Sequence, residues 1–207
     1  SSEPSVAGST TGASVRAAAA GRPQKLSVKD NRILPFMIFG FVSGSIQAAT
    51  GQALGFLVID SVGGDAMAAQ QQIAIIFMAG AFATLLAQWG LIPQLGLTPP
   101  ALMRWGTIIA GIGTAGIALA SSFHVMVIAF ALMSLGYGLA RPGFTAGASL
   151  AVSRAEQGGV AGAVTSVNGS CFIFAPAIGI GLYQIGGTLP YWLGAAAPVS
   201  YTHLRAH

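Results

Sequence analysis

Residues 123–185 read FHVMVIAFALMSLGYGLARPGFTAGASLAV, then SRAEQ, then GGVAGAVTSVNGSCFIFAPAIGIGLYQI. Two long apolar runs are thus joined by a short polar link, and one charge, Arg141, stands inside the first run. A helix advances about 1.5 Å per residue, so each run exceeds the roughly 30 Å hydrocarbon core of a bilayer. A charge at that depth is costly and persists mainly where it faces protein or a water-filled cavity. The stretch predicts two membrane helices bordering a polar path.

The same material extends toward both ends. Charged residues make up only 7% of the chain, which leaves too little polar surface for a soluble domain of this size. From residue 34 to residue 198 the only formal charges are Asp60, Asp65, Arg104, Arg141, Arg154 and Glu156. The expected fold is therefore an all-α membrane protein. Five complete spans are drawn at 34–60, 71–95, 100–121, 123–152 and 158–185, with a partial sixth at 189–198. The single cysteine, Cys171, rules out an internal disulfide. Nothing resembles a phosphate-binding loop, a nucleophile with its base or a metal cluster, so neither an enzyme nor a cofactor is expected.

Basic residues set the orientation. Arg16, Arg22, Lys25, Lys29 and Arg32 precede the first span, Arg104 follows the second and Arg154 follows the fourth. Loops 61–70, 121–124 and 186–189 hold no Lys or Arg. All seven cations fall on one side, which the positive-inside rule makes cytoplasmic. Residues 1–33, rich in Ser, Gly, Thr and Ala, read as a flexible cytoplasmic linker ending in a basic cluster suited to anionic lipid headgroups. No nucleic-acid partner is expected. Residues 199–207, VSYTHLRAH, interrupt an apolar helix that has just begun. They are read as a non-native, adapter-derived tail, and the chain as a fragment of a longer protein.

Several short motifs occur in order along the spans. They are Gly51-Gln52-Ala-Leu-Gly55, Ala87-Gln88-Trp-Gly90, Gly136-Tyr-Gly138-Leu-Ala-Arg-Pro142 and Glu156-Gln-Gly158-Gly-Val-Ala-Gly162. In this order the chain resembles the C-terminal half of a major facilitator superfamily transporter, closest to the drug:proton antiporters of the tetracycline-efflux type. Ala175-Pro176 stands where that family usually has Gly-Pro, and residues 94–101 lack the acid and most bases of its cytoplasmic loop signature. The resemblance implies helices seven to twelve of a twelve-helix carrier in a bacterial inner membrane, with the last one truncated. It implies alternating access, proton-coupled efflux of amphipathic drugs, and a missing N-terminal half supplying the other wall. An uptake permease for an organic anion, or a non-transport membrane sensor or assembly module, are the alternatives.

Seven residues are candidates for the pathway. Arg141 stands either as a cavity cation for an anionic group or as a donor to backbone carbonyls freed by Pro142. Tyr137, Arg141 and Phe144 share a helical face at i, i+4 and i+7. The aromatic pair reads first as packing and second as a drug-binding wall. Asn168 and Phe172 lie one turn apart, and Asn168 either faces the cavity or bonds a neighbouring helix. Gln47 and Gln52 are five positions apart, so both cannot point directly at one cavity, and the resemblance favours Gln52. No acid lies deep in a span, so a proton-carrying carboxylate is expected in the absent half. Ser153 and Glu156 fit a capping box. Gly40, Gly44, Ala48, Gly51, Gly55, Gly159, Gly162 and Ala163 are expected to allow close helix approach.

Overall fold

A computed structural model describes residues 26–204, with side-chain surroundings through residue 197. Residues 1–25 of the expected linker and 205–207 of the expected tail lie outside the described residues. All regular structure among the described residues is helical. The helices are α1 (Leu34–Ser61), α2 (Ala66–Leu95), α3 (Pro99–Ala118), α4 (Phe123–Leu150), α5 (Gln157–Ile185) and α6 (Leu189–Leu204). The first five are long and apolar enough to cross a membrane. Their outward faces carry exposed Phe82, Leu86, Ile128 and Ile173, a surface that suits lipid and not water. The chain has the architecture of a multi-pass membrane bundle.

Local chemistry sets the boundaries. Gly63 and Gly64 adopt positive φ (66° and 84°) to turn the chain after α1. Asp65 then caps α2, accepting hydrogen bonds from the Met67 and Ala68 amides at 3.0 and 3.1 Å. That cap starts α2 five residues earlier than the span drawn from hydropathy, so Gln70, Gln71 and Gln72 ride on its first turns. Gly96, at φ 54°, ends α2, and Pro99 and Pro100 open α3 where their missing N–H groups are harmless. Ser122 caps α4 through the Val125 amide. Residues 26–33, drawn as flexible linker, form turns that seat Ile33 fully in the core with Leu26 packed beside it. Helix α6 continues to Leu204, past the boundary at residue 198.

Packing is organised around α4, the most buried of the five long helices. A methyl group added at Gly106 of α3 would stand 2.6 Å from the Ala140 amide nitrogen and 2.6 Å from the Gly136 carbonyl. Gly136 of α4 meets the Ala110 backbone in the same way, and Gly113 meets Met133. The backbones of α3 and α4 therefore touch, as small residues permit in membranes. Helix α2 reaches α4 through Gly80, against Phe130 and Ser134, and Phe77 meets Phe130 edge-on at 5.2 Å. Helices α1 and α5 form a second pair, with Gly44 under the Cys171 sulfur and Gly179 against the Ala49 backbone. Helix α6 lays Gly194 over Thr114 and Thr50.

The small residues expected at contacts divide accordingly. Gly40 and Gly44 are packed, whereas Gly51, Gly55 and Gly162 face open space within 4 Å. The α3–α4 glycines were not anticipated. Gly106→Ala is expected to cost about 1–3 kcal/mol through overpacking, read as a lower thermal midpoint in detergent. Gly162→Ala should cost nothing and gain up to about 1 kcal/mol of helix propensity. Equal midpoints for the two variants would contradict this packing account.

Candidate functional site

A cavity of about 330 Å³ opens between α1, α2, α4 and α5. Its walls are Gln47 of α1, Thr84 and Gln88 of α2, Asn168 of α5, and Tyr137, Gly138, Arg141, Pro142, Phe144 and Thr145 of α4. Five of the seven candidates thus meet in one place. Gln52 and Phe172 do not. Five residues along a helix is a rotation of about 140° from Gln47, and Gln52 is exposed on another face of α1. Phe172 lies on the exposed face of α5 beside Ile173 and Phe174.

Arg141 stands about nine residues, or roughly 14 Å of helix, from the C-terminal end of α4. Among the described residues its guanidinium makes no hydrogen bond and no ion pair, although Pro142 removes the amide that would bond the Gly138 carbonyl. The Arg141 carbonyl instead accepts from the Thr145 hydroxyl at 3.1 Å. The side chain is exposed to the cavity. Tyr137 and Phe144 are buried and stiffen the wall: the Phe144 ring lies against Gly40 and 6.5 Å from the Phe39 ring. Packing is therefore part of their role, as the spacing suggested.

Three wall residues were not among the seven candidates, although Gln88 stands in one of the quoted motifs. Thr84 and Gln88 are an i, i+4 polar pair inside the apolar run of α2, and Thr145 stands one turn after Arg141. That periodicity was the available signal. Thr84 donates to the Gly80 carbonyl at 2.9 Å. Gln88 sits in a π-helical stretch, Leu86–Leu91, a local departure from α-helix that recurs at functional sites.

Polar contacts away from the cavity tie α1 to α5 at both ends. Arg32, just before α1, donates to both carboxylate oxygens of Glu156 at 2.7 and 3.2 Å and to Asp30 at 2.8 and 3.1 Å. Glu156 also accepts from the Ser153 amide at 3.0 Å, so the expected capping box forms and holds Arg32 as well. At the other end the Tyr183 hydroxyl donates to Asp60, and Phe56 lies 6.0 Å from the Tyr183 ring. All acids from α1 onward are engaged at helix ends, Asp65 through its cap. Among the described residues no group of three His, Cys, Asp or Glu could hold a metal ion. No protein-family model matches this chain, and no curated protein matches it.

Two outcomes test this geometry. In a Cys171→Ser background, single cysteines at Gln88 and Thr145 should react with a membrane-impermeant maleimide at least about tenfold faster than one at Ile128, because the attacking thiolate needs water. Comparable rates at all three positions would argue against a hydrated cavity. Side-chain hydrogen bonds from Arg32 and Ser153 hold the Glu156 carboxyl down, from 4.5 to about 2. A depressed carboxylate contributes stability above its ordinary value and loses it as pH falls through the folded value. Spin labels at Val28 and Ala155 should keep a narrow distance distribution down to pH 4.5 and broaden as pH approaches about 2, where the Arg32–Glu156 bridge is lost. Broadening already near neutral pH would contradict the tie between Arg32 and Glu156.

Proposed function

We propose that this bundle is one wall of a secondary transporter of the major facilitator type, exporting amphipathic compounds by alternating access in exchange for protons. The observation that carries the reading is the cavity at Arg141: a cation in the span, open to a space that four helices line with neutral polar side chains. Intramembrane ionisable residues of this kind mark substrate or ion pathways. The ordered motifs of α1, α2, α4 and α5 support the same class. On this reading the end bearing Arg32, Arg104 and Arg154 is cytoplasmic, the membrane is a bacterial inner membrane, and a second helical half faces the cavity. The proton-carrying carboxylate then belongs to that half, since the acids of α1–α5 are held at helix ends.

The test is flux. The full-length protein carrying this bundle, reconstituted in vesicles, should move an amphipathic dye against its gradient when a pH difference is imposed, and a protonophore should stop it. Dye movement that ignores the pH difference would remove proton coupling. Absence of flux for every amphipath tested would remove transport and leave a membrane sensor or assembly module as the function.

A further inference from the structure

We infer that the Arg141 cavity selects amphipathic substrates that carry one negative charge, a carboxylate or sulfonate, over neutral or cationic ones of the same shape. The inference rests on the transport reading above and names the substrate class of that same site.

Charge balance is the first argument. Asp60 is taken by Tyr183, Glu156 by Arg32 and Ser153, and Asp65 by the first amides of α2. No acid among the described residues is left for Arg141, whose guanidinium offers a planar fork of donors matched to a carboxylate or sulfonate. The second argument is the chemistry of the surrounding wall. Gln47, Gln88 and Asn168 bring amide donors from three different helices to the same cavity. The hydroxyls of Thr84 and Thr145 already donate to the Gly80 and Arg141 carbonyls, so the amides are the side chains with N–H groups to spare. Around a bound oxyanion these amides would satisfy the lone pairs that Arg141 leaves. Around a bound ammonium the guanidinium would repel, with no carboxylate among the described residues of this wall to offset it.

The third argument is the apolar half of the lining. Partly exposed Pro142 presents methylene surface beside the cation, and the buried Tyr137 and Phe144 rings back that wall. Pockets that fix a molecule by one charge and cover the remainder with apolar surface are built in this way. A small inorganic anion would leave that surface unused. An amphipathic organic anion would cover it.

Equilibrium dialysis of the purified full-length protein in detergent tests the inference with three radiolabelled probes of one shape: 2-naphthoate, neutral 2-naphthamide and cationic 2-naphthylmethylamine. The unmodified protein should bind naphthoate at least about tenfold tighter than naphthamide, the scale on which charge complementarity discriminates, with the amine weakest. Arg141→Gln should bring naphthoate to the naphthamide level while naphthamide itself changes little, and Arg141→Lys should keep the order with weaker binding. A naphthoate preference that survives Arg141→Gln, a preference for the amine, or no saturable naphthoate binding would overturn the inference. The first of these results would assign Arg141 to an acid of the facing half. If Arg141→Gln does not fold, Gln47→Leu combined with Asn168→Leu should weaken naphthoate more than naphthamide, and equal weakening would overturn it. Dialysis needs no gradient, so selective binding without vesicle flux defeats the transport reading alone. Flux without charge selectivity defeats this inference alone.

Discussion

The bundle depends on the backbone contact between α3 and α4. In hydrocarbon there is no hydrophobic gain in bringing two apolar helices together, because lipid tails are as apolar as the side chains. What remains is dispersion, which falls off steeply with separation, so close approach matters more than side-chain size. Gly106 and Gly113 on α3, with Gly136 on α4, remove the atoms that would hold the axes apart. Helix α4 is thereby fixed as a post, and the others are placed by what they set against it or its partner. Gly80 seats α2 against Phe130, Phe144 props α1 at Gly40, and Gly194 lays α6 on α3 at Thr114.

Helices α1 and α5 solve the same problem differently. Between them lie Gly44 under Cys171 and Gly179 against Ala49, and the Cys171 thiol donates to the Phe41 carbonyl at 3.3 Å. Their contacts involving charged side chains, among the described residues, sit at the ends, with Arg32 and Glu156 at one and Asp60 and Tyr183 at the other. Charges placed there stay within reach of water, where an ion pair does not bear the desolvation cost of a buried one. The pair is pinned top and bottom, and its middle turns Gln47 and Asn168 toward the cavity it shares with α4. The cavity opens where this pair and the α2–α4 pair diverge.

Hydropathy alone made the number of long helices and their approximate bounds legible, because apolar runs of membrane length have few other uses. The start of α2 was not legible that way: a glutamine run looks like a loop until Asp65 is recognised as a cap. The glycines show the other limit. Gly106 and Gly162 look alike in sequence, yet only Gly106 meets a neighbouring backbone, a consequence of which face turns inward. For the site, period-3.6 reasoning brought Tyr137, Arg141 and Phe144 together and separated Gln47 from Gln52. It could not choose between the two glutamines, since the choice depends on the rotation of α1 against α4. Thr84 and Gln88 were not among the candidates because polar residues in α2 say nothing of α4 until the helices are placed side by side. The ties of Arg32 to Glu156 and Asp60 to Tyr183 span more than a hundred residues and leave no local signature.

The level of the cavity has its own physical cause. Two helices depart from the regular α ladder beside it: α4 at Pro142, where the Gly138 carbonyl loses its amide, and α2 at the π-helical stretch around Gln88. Gly138 packs against Thr84 and Ala87, so the two irregular segments face each other. In lipid an unsatisfied carbonyl is costly, and such backbone is tolerated where protein or water can reach it. An open polar space at this level therefore relieves the backbone as well as accommodating Arg141. Removing the charge alone would leave the break at Pro142 in place, along with the need for something polar beside it. The irregular backbone thus sets where a hydrated cavity can stand, and Arg141 sets the sign of the charge it presents.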